Sequence, residues 1–264
     1  MRPLILMKVG GSLITDKDNP EPTVNFKNLR RIVREVAEGY SPERMRLIFA
    51  HGAGSYGHQI VKRTGIHKGI KSGEQILAFA ETQRLQNELN SIVTKELIKN
   101  GVPAMPIQCS CHTVMEKGEL VEMHLETVRG YLEVGLVPVF FGVPAFDRFQ
   151  KCSILSADKI LAHIAREFRA EKVIHATDVD GVFDANPKEV EDAKLVKEMT
   201  SENFDEIIEK VGHSSSVDVT GGMFGKVREI LASGVPTEII NGNREGYIKS
   251  ALLGETGLGT RIIP

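Results

Sequence analysis

Four short apolar runs, each followed directly by a glycine-rich or acidic turn, constrain the fold of this chain more than any other feature. The runs cover residues 4–9, 47–50, 136–141 and 172–177. Such runs are typical of strands buried in a parallel sheet, and helical patterns lie between them. The sequence therefore predicts an α/β fold, a three-layer αβα sandwich around an open, mainly parallel central sheet. Binding sites are expected at the carboxyl ends of its strands.

The segments between the runs predict helices and one β-hairpin. Asn25 is a suitable N-cap for a helix that runs to about residue 38. A long helix is expected over residues 73–100, because apolar side chains recur there at helical spacing and a glycine follows. An inserted β-hairpin is predicted over residues 114–121, with its turn at Lys117-Gly118.

The segment from His51 to His58, HGAGSYGH, contains three glycines between two histidines and directly follows the second apolar run. Glycine lets a backbone turn sharply and approach a ligand closely, so that its N–H groups can bind an anion. We expect this segment to form a cradle for a substrate phosphate, with His58 contacting that phosphate. Ile76 and Phe79, in the first turns of the long helix, are either core residues or walls of an apolar substrate pocket.

Two other interpretations of the cradle were weighed. Gly52, Gly54 and Gly57 have the G-x-G-x-x-G spacing of a dinucleotide-binding turn, which is a weak signal by itself. That site also requires an acidic residue about 20 positions on, at the end of the next strand. This chain has a basic segment there, followed by Glu74 at the start of a helix. A tight turn that binds no ligand remains the second alternative.

A second glycine turn, Gly10-Gly11-Ser12, follows the first apolar run, which itself contains Lys8. A lysine within a buried strand is costly unless it meets an anion, although its ammonium group could instead reach solvent at a sheet edge. Lys17 lies in the polar loop that follows. It could reach the same site or remain solvated.

Lys226 follows a glycine as in a P-loop, but the flanking residues do not match that motif, and the protein kinase motifs are absent from the sequence. Glycine turns with adjacent lysines, and an acidic turn after the fourth apolar run, instead suit phosphoryl transfer by positioning and electrostatic stabilisation. We expect Lys8 and Lys226 on opposite sides of the transferred group. Asp158 would hold both lysines, or would simply complement the dipole of its helix.

The acceptor is expected to be a phosphate rather than a hydroxyl group. A hydroxyl acceptor normally requires a general base, and no carboxylate stands near the cradle in the sequence. A phosphate monoester has a second pKa of about 6 and is already an anion at neutral pH. The sequence therefore favours a phosphate monoester as the acceptor.

Composition excludes several other classes. The net charge is −2, which gives no indication of a nucleic-acid or membrane surface. Cys109, Cys111 and Cys152 provide no disulfide framework, so a reducing cytoplasm is the expected location. Cys109 and Cys111 with His112 suggest zinc, but no second pair stands at zinc-site spacing. No apolar run approaches the roughly 18 residues of a membrane span.

Several motifs together resemble the amino acid kinase family over essentially the whole chain. They are KVGGS at residues 8–12, DVDGV at 178–182, DVTGGM at 218–223 with Lys226, and Gly259-Thr260. The cradle with its second histidine resembles the isopentenyl phosphate kinase branch of that family, and this form is shared with fosfomycin kinases. Ala157 departs from the pattern, since the family usually has glycine there, and its methyl group would stand close to the expected phosphate.

The resemblance implies which residues act, with ATP as phosphoryl donor and isopentenyl phosphate as acceptor. Residues implied for ATP are Lys8, Gly10, Gly11, Ser12, Gly54, Asp178, Phe183, Asp184, Lys188, Gly221 and Lys226. Those implied for the substrate are Ala53, Gly54, His58 and Ala157, beside the pocket candidates Ile76 and Phe79. The catalytic set is Lys8, Lys17, His58, Asp158 and Lys226. Mg²⁺ would be held by the ATP phosphates and water, with no direct protein ligand.

The resemblance also implies an organisation and a setting. Residues 1–170 would bind the substrate phosphate and residues 171–264 would bind ATP, as two lobes of one structural domain with a continuous sheet. The product would be isopentenyl diphosphate, for isoprenoid biosynthesis, and a homodimer is expected. The alternatives are a fosfomycin-type or other small phosphate or phosphonate kinase, and a catalytically silent nucleotide sensor.

Overall fold

The structure of the protein, a computed structural model, describes residues 2–16, 19, 21–185, 190–212 and 223–264. Within these ranges the strands are Leu4–Val9 (β1), Thr15–Asp16 (β2), Thr23–Val24 (β3), Arg46–His51 (β4), Ala104–Pro106 (β5), Thr113–Glu116 (β6), Glu119–Met123 (β7), Val137–Phe141 (β8), Val143–Asp147 (β9), Lys151–Leu155 (β10), Lys172–Thr177 (β11), Glu198–Thr200 (β12), Thr237–Asn241 (β13) and Thr260–Ile263 (β14). The α-helices are Gly11–Ile14 (α1), Phe26–Gly39 (α2), Ser55–Thr64 (α3), Gly73–Lys99 (α4), Glu126–Val134 (α5), Ala157–Phe168 (α6), Phe204–Gly212 (α7), Met223–Ser233 (α8) and Tyr247–Leu252 (α9).

The main sheet has β1 near its centre. In the part of the chain that the structure describes, eight strands form this sheet in the order β12-β14-β13-β11-β1-β4-β8-β5. Paired strands run parallel, except that β13 and β14 are antiparallel. Lys8 on β1 therefore stands beside Ala50 of β4 and His175 of β11. The prediction of an open, mainly parallel sheet is confirmed.

Helices cover both faces of the main sheet. On one face α2, α4 and α9 share a core that includes Met7, Phe49 and Leu89. On the other face α5 and α6 pack around Leu6 and Phe140. Because the central strands are buried on both sides, they appear in the sequence as continuous apolar runs. The three-layer αβα arrangement predicted from those runs is confirmed.

The inserted hairpin is confirmed but belongs to a larger unit. β6 and β7 turn at Lys117-Gly118 and join β9 and β10 in a four-stranded sheet of order β10-β9-β6-β7. The β9–β10 pair was not predicted. Asp147 stabilises it, since its carboxylate accepts hydrogen bonds from the backbone N–H groups of Gly118, Phe149 and Gln150 and from the Ser153 hydroxyl. Phe149 and Gln150 follow Asp147 by two and three residues, as in an Asx turn, whereas Gly118 is distant in the sequence.

The two helices predicted in most detail are confirmed. Asn25 caps α2 by accepting a hydrogen bond from the Asn28 N–H, and the helix ends at Gly39. The long helix α4 covers residues 73–99, one residue shorter than predicted. Within the described ranges, none of the helices combines the length and hydrophobicity that crossing a membrane requires.

The cradle segment contains a helix that was not predicted. The chain turns at Gly54, whose φ is +53°, and α3 begins at Ser55. The Ser55 N–H donates to the Thr15 hydroxyl at 3.0 Å, which fixes the start of the helix through a contact distant in sequence. His58 therefore lies in the first turn of a helix and not in a loop.

Candidate active site

A cavity of about 520 Å³ opens at the carboxyl ends of β1, β4, β8 and β11. Of the predicted site residues, it brings together Lys8, Gly10, Gly11, Ser12, Ala53, His58, Ala157, Asp158 and Lys226. The four strands are neighbours in the parallel sheet, so the turns that follow them meet at one edge. Residues from opposite ends of the sequence therefore share one crevice.

The glycine turns after β1 and β4 pack directly on each other. A Cβ on Gly11 would collide with the backbone of Gly54, and a Cβ on Gly52 would collide with the backbone nitrogen of Gly11. At Gly54 a Cβ would also meet the Thr15 side chain, and the positive φ disfavours any other residue. The two turns are thus held at a separation that only glycine permits.

Two longer helices begin at the cavity. α3 starts directly after Gly54, and α6 starts at Ala157, where the Ser156 side chain accepts a hydrogen bond from the Lys159 N–H. The N-terminus of a helix carries a partial positive charge and N–H groups without helical partners, so it favours an anion. Together with the glycine turns, these helix starts give the cavity the character of a phosphate site.

Asp158 joins the two lysines that were predicted to flank the transferred group. Lys8 Nζ lies 2.7 Å from both carboxylate oxygens of Asp158, and Lys226 Nζ lies 3.3 and 3.1 Å from them. Lys8 comes from β1, Asp158 from the first turn of α6 and Lys226 from α8. Two ammonium groups and one carboxylate leave an excess of one positive charge beside the cavity. We call these three residues the charge cluster.

Burial and mutual charge determine the protonation of the charge cluster. Burial lowers the pKa of Lys8 to about 8, although the Asp158 carboxylate opposes this shift. Burial also acts to raise the pKa of Asp158, but the charges of Lys8 and Lys226 hold it well below the usual value. For Lys226 the effect of burial is outweighed by Asp158, and the pKa is raised. At neutral pH the cluster is therefore charged, with Asp158 ionised.

His175 is part of this site and was missed in the sequence. It lies on β11 beside Lys8, is 3% exposed, and places Nδ1 3.3 Å from Asp158 Oδ1. Burial lowers the pKa of His175 to about 4, so the ring is neutral at physiological pH. The available signal was an ionisable residue inside an apolar strand, the same signal that identified Lys8.

The two histidines of the cradle lie in different environments. His58 is exposed and lines the cavity from the first turn of α3. His51 is fully buried, stacks on Phe141 with ring centroids 5.7 Å apart, and has Nε2 3.2 Å from Asn90 Oδ1. His58 is therefore the histidine in a position to contact a ligand, and its predicted contact with a phosphate stays a prediction, whereas His51 is a core residue.

The predicted apolar walls lie elsewhere. Ile76 and Phe79 are not among the described residues that line the cavity. Ile76 is 60% exposed, and Phe79 packs against a small core beside α3. The cavity is bounded on this side by Thr82 and Gln86, one and two turns further along α4. A role for Ile76 or Phe79 in substrate binding stays a prediction.

The residues predicted for the nucleotide are only partly described. Asp178, Phe183 and Asp184 lie on the segment after β11 and are not among the described residues that line the cavity. Asp184 accepts a hydrogen bond from the Lys194 N–H at 2.7 Å. Three further predicted residues, Lys17, Lys188 and Gly221, lie outside the described residues. Within the described ranges, no three His, Cys, Asp or Glu side chains group closely enough to hold a metal ion.

Comparison with known proteins identifies the family. The model of the amino acid kinase family matches residues 3–241. An isopentenyl phosphate kinase from Methanothermobacter thermautotrophicus is 40% identical over 268 residues, covering 98% of each chain. The isopentenyl phosphate kinase of Methanocaldococcus jannaschii is 32% identical, again over 98% of each chain.

The fold comparison agrees with the sequence comparison. A solved structure described as "X-ray structures of isopentenyl phosphate kinase" matches with a TM-score of 0.84 at 37% identity, covering 98% of this chain and all of that chain. Family model, full-length relatives and fold all point to the same group. The chain therefore belongs to the amino acid kinase family, in the branch of the isopentenyl phosphate kinases.

Proposed function

We propose that this protein transfers the terminal phosphoryl group of ATP to isopentenyl phosphate, forming isopentenyl diphosphate for isoprenoid biosynthesis. The observation that carries the proposal is the charge cluster of Lys8, Asp158 and Lys226 beside a cavity that His58 also lines. The family and the names of its full-length relatives support the same substrates.

The charge cluster suits an in-line transfer between two phosphates. Negative charge is spread over the oxygens of the transferred group, and fixed cations stabilise it without reorganisation. Lys8 and Lys226 approach Asp158 from different elements, so both ammonium groups are held in place before any ligand binds. The bond from phosphorus to the ADP oxygen breaks as the bond to the acceptor oxygen forms. Asp158 positions the lysines and does not act as a base, because its pKa lies well below the usual value.

His58 is proposed to bind the phosphate of the acceptor. The acceptor oxygen is already anionic, so it needs stabilisation and orientation but no proton removal. His58 stands at the start of α3, where the helix terminus also favours an anion. Ala53 and Ala157, which line the same cavity, would approach the same phosphate through their backbones.

ATP is proposed to bind at the glycine turn that follows β1. Gly10, Gly11 and Ser12 line the cavity beside Lys8, and a Cβ on Gly11 would fill the space between the two glycine turns. A triphosphate with its Mg²⁺ supplies the phosphoryl group that is transferred. Gly54, Asp178, Phe183 and Asp184 are proposed to complete the nucleotide site, together with Lys17, Lys188 and Gly221. We also assign residues 1–170 to the acceptor and residues 171–264 to ATP.

Three other parts of the proposal stay predictions. A homodimer and a magnesium ion without protein ligands rest on the family, and a cytoplasmic location rests on the cysteine content. A fosfomycin-type kinase shares the cradle, but the full-length relatives do not favour it.

A substrate panel tests the proposed function. Purified protein with ATP and Mg²⁺ should use isopentenyl phosphate with a far higher kcat/KM than UMP, N-acetylglutamate or fosfomycin. Equal or better use of any of these would overturn the assignment. Absence of ADP release with every acceptor would favour a nucleotide sensor instead.

The role of His58 is tested by His58→Ala. Loss of a charge-assisted hydrogen bond should lower kcat/KM for isopentenyl phosphate roughly 10- to 150-fold while ATP binding is unchanged. His67→Ala is the matched control, because His67 is exposed on the 3₁₀ turn after α3, away from the cavity lining of the described chain. A fully active His58→Ala protein would remove His58 from the site.

A further inference from the structure

The buried face of α4 carries a polar stripe that an apolar core does not require. Thr82, Gln86, Asn90 and Thr94 recur every four residues and are all at most 5% exposed. The Thr82 hydroxyl and the Asn90 amide oxygen find partners within the protein. Gln86 differs, because among the described residues neither its Nε2 nor its Oε1 has a hydrogen-bond partner. Buried amides are nearly always paired, so this one requires an explanation.

The Gln86 amide lies where a substrate would pass. It lines the cavity and packs against Gly57, whose missing Cβ would otherwise collide with Nε2. The same hypothetical Cβ would lie 2.9 Å from the Cβ of Ala53, which lines the cavity beside the cradle. Gln86 therefore stands next to the phosphate cradle and not deep in the core.

Apolar residues also line this cavity. Val61, Val143 and Ile154 line it together with Gln86 and with Thr82, whose hydroxyl donates to the Ala78 carbonyl. A chamber with three aliphatic walls and one amide suits a short branched carbon chain that carries a single hydrogen-bonding group. The aliphatic walls accommodate a hydrocarbon chain such as that of isopentenyl phosphate, and a hydroxyl group on such a chain could pair with the amide.

We propose that Gln86 binds a hydroxyl group on the carbon chain of the acceptor, so that this protein also phosphorylates short hydroxyalkyl monophosphates. This inference rests on the proposed function, because it concerns the chain attached to the same phosphate. The amide can accept from the hydroxyl through Oε1 or donate to it through Nε2.

Two acceptors that differ by one hydroxyl group test the proposal. Steady-state kinetics with ATP are measured for 3-methylbutyl phosphate and 3-hydroxy-3-methylbutyl phosphate, on the wild type and on Gln86→Met. Methionine keeps the length and the helix propensity of glutamine but removes the amide. The ratio of kcat/KM for the hydroxylated over the plain acceptor should be on the order of tenfold higher in the wild type than in Gln86→Met.

Thr94→Val provides a matched control. Thr94 lies on the same helix and face, and its hydroxyl also lacks a partner in the described part of the chain, but it is outside the cavity lining. Its replacement should leave the ratio of the two acceptors unchanged. Gln86→Met should also unfold at a temperature equal to or above that of the wild type without substrate, because it removes two unpaired buried atoms.

The outcomes separate the two levels of the proposal. If the wild type uses neither acceptor nor isopentenyl phosphate, the proposed function falls and this inference falls with it. If the wild type uses them and the ratio is the same in Gln86→Met, a water molecule satisfies the amide and the inference alone is overturned. An equal loss for both acceptors, or a clearly lower unfolding temperature, would assign Gln86 to the phosphate or to the core and would also overturn it.

Discussion

The glycine turns and the charge cluster both border one cavity but are built on different principles. Gly11, Gly52 and Gly54 fit together by shape, with backbone against backbone and no space for a methyl group. Lys8, Asp158 and Lys226 are held by charge, over distances of 2.7–3.3 Å. A shape-based contact is part of the fold, whereas buried charge is usually costly to the fold and is kept for function. Substitutions should therefore separate stability from activity.

The largest effect is expected from Gly11→Ala. The new methyl group would collide with the Gly54 backbone, which cannot move without displacing the start of α3. We expect a loss of stability of about 3 kcal/mol or more, with loss of activity as a consequence. Gly130→Ala is the control, since a Cβ there meets nothing within 4 Å inside α5, and it should gain about 0.5–1 kcal/mol. Urea unfolding measures both, and equal stability of the two variants would contradict the shape argument.

Lys8→Met should show the opposite behaviour. Asp158 keeps Lys226 as a partner, and burial already disfavours the charged form of Lys8, as its lowered pKa shows. We expect stability at pH 7 equal to or above that of the wild type, with kcat lowered about 10²- to 10³-fold through loss of one cation at the transferred group. Urea unfolding and steady-state kinetics on the same preparation check both. A Lys8→Met protein that is active, or one that fails to fold, would remove the contrast with Gly11→Ala.

The pH dependence of Lys8 should separate stability from activity within one protein. Its pKa is about 8 in the folded state and 10.5 in the unfolded state. Between these values the unfolded chain binds more protons, so the free energy of unfolding should rise with pH. Over the same window kcat/KM for ATP should fall about tenfold per unit above pH 8, because the free enzyme loses the ammonium group. In Lys8→Met the alkaline rise in stability should vanish. A flat pH profile of the wild type would contradict both statements.

The sequence predicted well what local pattern determines. Continuous apolar runs identified the central strands, and an N-cap with a helical stripe identified α2 to within one residue. Lys8 and Lys226 were expected to flank one transferred group, because phosphoryl transfer requires fixed cations and a buried lysine needs an anion. A position of Asp158 between them was one of two interpretations, and the structure shows that contact. These inferences needed only spacing, side-chain chemistry and sheet topology.

The missed features depend on contacts that are distant in sequence. α3 contains Ser55 and Gly57, which favour turns, and its start is fixed by Thr15. On α4 the helical period predicted apolar residues inside, but the buried face also carries Thr82 and Gln86. A buried polar residue is recognisable only once its partner or cavity is known. The same limit explains why the sequence could not decide whether Ile76 is a core residue or a pocket wall.

His175→Leu should give the smallest effect on activity. The neutral ring lies beside Asp158, so its loss removes one of three groups that fix the carboxylate while both lysines remain. We expect kcat to fall a few-fold. The acidic side of the stability profile gives the sharper measurement. The pKa of His175 is about 4 when folded and 6.5 when unfolded, so wild-type stability should decline as pH falls from 6.5 to 4.

Between pH 6.5 and 4 the wild-type His175 ring takes up a proton when the protein unfolds, and a leucine cannot. His175→Leu should therefore lose less stability than the wild type over this pH range. His163→Leu is the control, since His163 is a half-buried histidine on α6 whose pKa burial also lowers, and it is not part of the charge cluster. Urea unfolding at pH 6.5, 5.5 and 4.5 compares the three proteins. If all three decline in parallel, His175 carries a proton within the folded site. The protonated ring of His175 would then add a positive charge beside the charge cluster. A description of the site as held by charge would have to include His175 as a fourth charged group.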